Sequence, residues 1–160
     1  MVATALGMGS CKNQKSASQE SGDTDTVAVT TVQFNADSAY AEIVAQCDFG
    51  PRVPNTEAHA ACCRYIVERF KSLGLSVIEQ KADLKTFEGK TWYSTNIIAS
   101  YKPELKDRII ICSHWDSRPW ADADPDTAKH RTPVMAANDG ASGVAVMIEV
   151  ARLLDQLKPT

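Results

Sequence analysis

The sequence lacks a long apolar run, a strong excess of charge of one sign and any paired-cysteine motif. Its apolar stretches are far shorter than the ~20 residues that a transmembrane helix needs, so none is predicted. Seventeen basic and twenty acidic side chains leave a formal charge of -3, which argues against a nucleic-acid partner. The length of 160 residues, with 44% hydrophobic and 23% charged side chains, is typical of one globular domain.

The five cysteines form an odd set in which no two are spaced as C-x-x-C. This pattern disfavours a zinc ribbon and a closed disulfide framework. The adjacent Cys62 and Cys63 fall within a helical pattern, which favours small buried side chains over a reactive pair. Their disulfide state, and that of Cys47 and Cys112, stays open.

Cys11 follows a leader of small and apolar residues. Residues 1–10 resemble the end of a bacterial lipoprotein signal, and residues 12–30 contain almost no large apolar side chain. Since such a polar stretch cannot offset the entropy of ordering, residues 1–34 are interpreted as leader and linker, and 35–160 as the folded part. The pattern predicts export to the periplasm or cell envelope, with membrane attachment through a lipidated Cys11. Because no Lys or Arg precedes Cys11, a plain disordered tail is the alternative.

Helical patterns and apolar runs alternate along the folded part. The spacing predicts helices over 37–47, from Asn55 as N-cap to Gly74, and from Val144 to Leu157. Residues 75–87 and 92–101 have strand-like patterns, and the apolar run 109–112 predicts a central strand covered on both faces. The Pro-containing stretch 115–137 is predicted to be a functional or mobile loop. This order of elements indicates a mixed α/β layer fold.

The candidate site lies at the end of the predicted central strand. His114 and Asp116 point the same way on an extended chain, so the carboxylate can orient the imidazole. Asp139 lies in a turn of small residues just before the last helix. Each also has a structural interpretation: Asp139 as an N-cap, Asp116 as a turn former and His114 as a hydrogen-bonded structural histidine. His130, on the Pro-rich loop, is expected at the solvated surface.

Five motifs occur here in the order seen in one enzyme clan. They are His114-x-Asp116, residues 138–143 (NDGASG), 50–54 (GPRVP), 96–99 (NIIA) and 114–118 (HWDSR). The first two resemble the zinc-dependent aminopeptidase clan of the M28 type, and the other three resemble its glutaminyl cyclase (glutaminyl-peptide cyclotransferase) branch. The resemblance runs from about residue 35 to the end of the chain. It implies a phosphorylase/hydrolase-type α/β architecture with a mixed, largely parallel central sheet flanked by helices.

The resemblance also implies a zinc-dependent acyltransferase reaction, in which the N-terminal Gln of a peptide or protein becomes pyroglutamate and ammonia is released. Asp139 would bind the zinc, and His114 and Asp116 would form the catalytic network beside it. Trp115 and Trp120 would border the substrate mouth. In a di-zinc M28-type aminopeptidase, the first alternative, His114 would bind a second zinc. The second alternative is a non-catalytic envelope binding domain.

In this clan the remaining zinc ligands and the acidic proton shuttle follow the helix that ends here at Leu157. A catalytic zinc site needs at least three protein ligands, and the residues up to Leu157 include no obvious general base. We therefore expect the 160-residue chain to be the truncated N-terminal half of a longer enzyme, to bind zinc poorly and to be inactive alone. The peptide preference and the oligomeric state stay open.

Overall fold

The computed structural model describes residues 31–159 of the protein. The predictions for the leader, for Cys11 and for the linker up to residue 30 lie outside the described residues. The helices are α1 (Ala36–Cys47), α2 (Glu57–Ser72) and α3 (Ser142–Leu157), and the strands are β1 (Ser76–Lys85) and β2 (Thr91–Ser100). None of the helices in residues 31–159 combines the length and apolar character of a membrane span.

Polar side chains set where α1 and α2 begin. Asn35 Oδ1 accepts a hydrogen bond from Ser38 N (3.0 Å), and Thr56 Oγ1 accepts one from His59 N (3.2 Å). The three predicted helices are confirmed to within two residues at each end. The prediction of Asn55 as the N-cap of α2 is wrong. Asn55 has a φ of 70°, and its side chain forms hydrogen bonds with the first residues of β2 instead.

The two strands form an antiparallel hairpin in which Ser76 lies opposite Ser100 and Lys85 lies opposite Thr91. The turn between them is closed by a hydrogen bond from Thr86 N to Lys90 O (2.9 Å). Both strands predicted in this part of the chain are confirmed. One face of the hairpin packs on the helices, since Val77 and Ile97 contact the buried core.

The core lies between α2, α3 and this face of the hairpin. Its buried members are Cys62, Ile66, Phe70, Leu75, Val144, Ile148 and Ala151. Cys62 is fully buried and Cys63 nearly so, as predicted for small core side chains. All four cysteines of the described residues are free thiols. Burial raises the pKa of Cys62 to about 12, so this thiol stays protonated at neutral pH.

Two buried carboxylates fix the position of α1. Glu42 of α1 accepts hydrogen bonds from the Tyr65 hydroxyl (2.6 Å) and from the guanidinium of Arg69 (2.6 and 2.8 Å), both on α2. Glu149 of α3 accepts from Asn35 N (2.7 Å) at the start of α1. Because these bonds cross between elements, α1 is held against both other helices.

The apolar run 109–112 differs from its prediction. Among residues 31–159 no strand pairs with it, and Ile109 and Ile110 are 92% and 87% exposed. A strand forms only against the backbone of a partner, and β2 pairs with β1 alone in the described part of the chain. The expected cover on both faces is therefore not present in these residues. The largely parallel central sheet stays a prediction.

Candidate active site

The structure brings His114, Asp116 and Asp139 together. His114 Nε2 lies 2.9 Å from Asp139 Oδ1, and His114 Nδ1 lies 3.2 Å from the main-chain oxygen of Asp116 and 3.5 Å from its Oδ1. A carbonyl or carboxylate oxygen can only accept a hydrogen bond, so both ring nitrogens face acceptors. This arrangement favours the doubly protonated, cationic imidazole.

The electrostatics of His114 agree with this geometry. Partial burial lowers the pKa of His114, but the hydrogen bond to Asp139, the charge of Asp116 and the Asp116 carbonyl together outweigh it. The pKa of His114 therefore lies above its ordinary value. The imidazole contacts one oxygen of the Asp139 carboxylate, whose side chain is 81% exposed.

A glycine makes the approach of these segments possible. Gly140 has a φ of 105°, and a Cβ at this position would lie 3.0 Å from His114 Cε1 and 3.2 Å from Asp116 O. The His114 ring thus rests directly on the backbone of the turn that carries Asp139. No side chain caps α3 in the described structure, so the N-cap interpretation of Asp139 is wrong: its carboxylate bonds to His114 instead.

Trp115 is directed away from its neighbours His114 and Asp116, into the protein. Its indole Nε1 donates to Thr95 O on β2 (3.1 Å), and its ring stacks on His59 of α2 with centroids 4.1 Å apart. Burial lowers the pKa of His59 although the charge of Asp116 raises it, so the stacked imidazole is held neutral at physiological pH. His59 could not be identified from the sequence, because a histidine inside a helical apolar pattern does not indicate which residue it contacts.

Arg52 is the second residue that the sequence analysis left without a role, since it entered only as a letter of the GPRVP motif. Its side chain is fully buried. Nε donates to Trp115 O (3.1 Å) and Nη2 to Ala136 O (2.8 Å), while Nη1 makes longer contacts with Gln46 O and Gly50 O. Every one of these partners is a main-chain carbonyl.

The 115–137 loop is predicted correctly as a loop, and it is well ordered by its own hydrogen bonds. Val134 N donates to Arg118 O (3.0 Å) and Ala121 N to Thr132 O (2.9 Å), which closes the base of the loop. His130 is not fully solvated as expected: it is half-buried, and its Nε2 lies 2.8 Å from Asp124 O. The reason is that the loop folds back on itself within a few residues.

Trp120 lies between the two bonded pairs at the base of this loop and is 38% exposed. It borders a cavity of about 550 Å³ between the loop and the tip of the hairpin, whose apolar lining includes Val53, Leu84, Phe87, Trp92 and Pro119. Trp115 lies on the core side and Trp120 on the cavity side of the loop. A role for either at a substrate mouth stays a prediction.

The donor atoms at the site fit part of a zinc centre. Zinc in enzymes is bound by imidazole nitrogens and carboxylate oxygens, and the site offers the carboxylate of Asp139 with the imidazole of His114 beside it. Within residues 31–159, no three or more His, Cys, Asp and Glu side chains are grouped so that they could hold a metal ion. The described site is thus compatible with zinc and supplies fewer than the three ligands that zinc needs.

Comparison with known proteins covers this same part of the chain. The family model for Peptidase family M28 matches residues 96–160, a range that contains His114, Asp116 and Asp139. The M28 resemblance is confirmed. The family match ends at the last residue of the chain and begins within β2.

Solved structures similar to the chain include proteins named as cyclases and as peptidases. The glutaminyl cyclase of Bacteroides thetaiotaomicron is 51% identical with a TM-score of 0.80, over 81% of this chain and 44% of that one. A leucine aminopeptidase precursor from the same species is also 51% identical with a TM-score of 0.80, over 82% and 45%. A Zn-dependent exopeptidase from Parabacteroides distasonis is 48% identical with a TM-score of 0.78, over 79% and 44%.

These similarities establish an α/β fold of the M28 exopeptidase and glutaminyl cyclase kind for the described part of the chain. The chain spans less than half the length of the three solved structures. It spans 33% and 26% of the two curated relatives that it matches.

Proposed function

We propose that the chain carries part of the active site of a zinc-dependent glutaminyl cyclase, which converts an N-terminal Gln into pyroglutamate and releases ammonia. The observation that carries the proposal is the 2.9 Å hydrogen bond between His114 Nε2 and Asp139 Oδ1. With Nδ1 against Asp116, both nitrogens of His114 are occupied by protein oxygens. In this proposal His114 serves Asp139 as a hydrogen-bond donor in a single-metal site, and metal content separates it from a site in which His114 binds a second metal.

In this proposal Asp139 holds the zinc and the other ligands come from outside the described residues. Zinc, when bound, supplies a Lewis acid that polarises the substrate carbonyl. His114 donates to one oxygen of Asp139 and leaves the other oxygen of the carboxylate to face solvent, where the side chain is mostly exposed. Asp116 holds His114 from the opposite side of the ring, so the position of the Asp139 carboxylate is fixed before any ligand arrives.

The cyclisation depends more on the positioning of the substrate than on additional functional groups of the protein. The substrate amine attacks the γ-carbonyl of the same residue, so the protein has only to hold the folded conformer of one molecule. The loop that follows Asp116, with the partly exposed Trp120, is the element that would contact the peptide chain. Supporting this proposal, a glutaminyl cyclase is among the structures of highest similarity.

The proposal is tested by incubating the protein, expressed from its complete reading frame, with a peptide that begins with Gln. We expect release of ammonia and a peptide whose mass is lower by one ammonia. Asp139→Asn should remove the activity together with the bound zinc, while Asp155→Asn, the same change at an exposed aspartate near the other end of α3, is the matched control. An intact Gln peptide with a fully zinc-loaded protein would contradict the proposal.

A di-zinc aminopeptidase is the second candidate, favoured by the similarity to a leucine aminopeptidase precursor. The same assay separates the two by product and metal content. One zinc per chain and a cyclised peptide support the cyclase, whereas two zincs and a released amino acid support the peptidase. Neither product, with substrate peptide still bound, would indicate the non-catalytic envelope domain.

We also propose that the protein is exported to the cell envelope and attached to the membrane through a lipidated Cys11. The support is the composition of residues 1–30, with a small apolar leader before Cys11 and a polar stretch after it. Mass spectrometry of protein extracted from envelopes should find a lipid-modified N-terminal Cys11. A cytosolic chain that keeps an unmodified Met1 would contradict this proposal.

A further inference from the structure

Arg52 differs from the other buried or half-buried arginines of the protein. Arg69 and Arg152 each bind a carboxylate and link helices or successive turns of one helix. Arg52 takes part in no ion pair within residues 31–159, and its guanidinium contacts four carbonyl oxygens. Burying a cation without an opposite charge is costly, so these carbonyls must supply the compensation. A neutral apolar side chain would fill the space with less cost if filling were the only role.

Two of the four carbonyls that Arg52 binds, those of Trp115 and Ala136, lie at the two ends of the 115–137 loop. Trp115 stands between His114 and Asp116, and Ala136 lies three residues before Asp139. The connection is reinforced from the main chain, since Ser117 N donates to Arg52 O (3.0 Å). One planar group thus fixes the separation of the two segments that supply the site.

A second link runs from the same region to the far side of Asp139. Gln46, whose carbonyl faces Arg52 Nη1, donates from its side-chain Nε2 to Ala141 O (3.1 Å). Ala136 and Ala141 are therefore both held, on either side of the kinked turn at Asp139 and Gly140. In this turn Ala136 has a φ of 55°, a left-handed conformation that is rare for alanine and needs support from outside the turn.

We infer that Arg52 is a positioning residue of the active site: its guanidinium holds the Trp115 and Ala136 carbonyls so that His114 Nε2 stays within hydrogen-bond distance of Asp139. The geometric part of this inference stands on the hydrogen bonds alone. Only its consequence for zinc affinity rests on the proposed function, and the two are read by separate measurements.

The test compares three variants by nuclear magnetic resonance of the His114 ring nitrogens. Arg52→Lys keeps the charge but offers a point donor in place of a planar fork, and Arg52→Ala removes the group. Arg152→Met is the matched control, since it breaks the partly buried ion pair between Arg152 and Glu149 on α3, which does not involve His114. We expect the His114 nitrogen shifts to move toward those of a free imidazole in both Arg52 variants and to stay unchanged in Arg152→Met.

Chemical rescue separates positioning from general destabilisation. Guanidinium ion, added to Arg52→Ala at concentrations far below those that denature proteins, should return the His114 shifts toward the unaltered values, and urea at the same concentration should not. Hydrogen exchange of residues 114–118 and 136–141 should speed up by at least about tenfold in Arg52→Ala and recover in parallel. A folded Arg52 variant with unchanged His114 shifts would overturn the inference.

If neither Arg52 variant folds, native-state hydrogen exchange of the unaltered chain is measured instead. Residues 50–53, 114–118 and 136–141 must then open together, and independent opening overturns the inference. In protein carrying a complete zinc site, Arg52→Lys should weaken zinc binding by roughly 10–100-fold, as removal of groups that orient metal ligands does. Altered His114 shifts in the Arg52 variants, with no zinc bound to unaltered protein expressed from its complete reading frame, would leave the inference standing and remove the proposed function.

Discussion

At the scale of single residues, the site depends on places where a side chain is missing. Gly143, in the first turn of α3, faces Ser113 of the segment that leads into His114. A Cβ added at Gly143 would come within 2.8 Å of Ser113 Cβ and would lie still closer to its hydroxyl. No real Cβ atom tolerates such a contact, so one of the two segments has to move.

We predict that Gly143→Ala lowers the free energy of unfolding by about 1–3 kcal/mol, the usual effect of overpacking, although alanine is the better helix former. Urea denaturation of the variant measures this loss. The same substitution in a Ser113→Gly background is the control, because both clashing atoms are then absent, and there it should be neutral or stabilising. An equal loss in both backgrounds would contradict the close approach of Ser113 and Gly143.

A second residue-scale prediction concerns acid stability. The guanidinium of Arg152 and the amide of Asn35 hold the pKa of Glu149 below its ordinary value of about 4.5, outweighing the burial that raises it. A carboxyl whose folded-state pKa is lowered stabilises the protein fully above the unfolded-state pKa, and the contribution is lost as the pH falls through the folded-state pKa. The decline should thus begin below about pH 4.5.

Glu149→Gln should flatten the fall of the free energy of unfolding on the acid side of that pH, because one titrating group is removed. Urea denaturation at a series of pH values measures the slope. Glu57→Gln, at an exposed surface ion pair, is the control and should leave the slope nearly unchanged. A slope in Glu149→Gln as steep as in the unaltered protein would show that other groups cause the acid loss.

At the scale of elements, the sequence predicts whatever depends on neighbours along the chain. The helices and the hairpin follow from periodicity, apolar spacing and turn residues, which act within a few positions. Asn55 shows the limit of this reasoning: it is a good cap by type, but its side chain bonds to β2, more than thirty residues away. Thr56 is the N-cap instead, because its backbone is extended and its hydroxyl accepts from His59 N.

The segment 109–112 shows the same limit for strands. Its apolar composition indicates that the segment is suited to burial, but it does not indicate which strand pairs with it. Ile109, Ile110 and Ile111 are therefore exposed, and so are Ile78 and Ile98, which lie opposite each other on the hairpin face directed away from the core. Exposed apolar residues on extended backbone favour association with another chain.

We predict that the 160-residue chain associates with increasing concentration and that Ile109→Lys with Ile110→Lys shifts it toward the monomer, since two charges oppose strand pairing. Sedimentation velocity over a range of concentrations measures the change. Val146→Lys, which replaces an exposed apolar side chain on α3, is the matched control and should keep the association. Equal association in all three proteins would exclude the 109–112 segment as its cause.

At the scale of the whole molecule, the sequence predicts which residues form the candidate site better than it predicts which residues hold them in place. His114, Asp116 and Asp139 are chemically distinctive residues in short motifs, and the structure places them in contact. Arg52 contacts main-chain carbonyls, and His59 stacks on Trp115. Both kinds of contact depend on the three-dimensional positions of segments more than fifty residues apart in the sequence. No spacing rule along the chain contains that information.

The expectation that the 160-residue chain binds zinc poorly also belongs to the whole molecule, and it stays a prediction. Its physical reason is that Asp139, even with His114 as a second ligand, supplies fewer than three protein ligands. Isothermal titration with zinc should give no tight binding, and Asp139→Asn should change the isotherm little. A sub-micromolar one-to-one isotherm for the unaltered chain would contradict the expectation.

The closed base of the 115–137 loop has a consequence for how such a protein can diversify. Because the pairs Arg118–Val134 and Ala121–Thr132 are bonded at the base of the loop, residues 122–131 lie beyond the last of these bonds. We expect insertions and replacements in residues 122–131 to leave the spacing of His114 and Asp139 unaltered. Recognition of different partners can therefore evolve there as a separate module, without repeated readjustment of the chemistry beneath it.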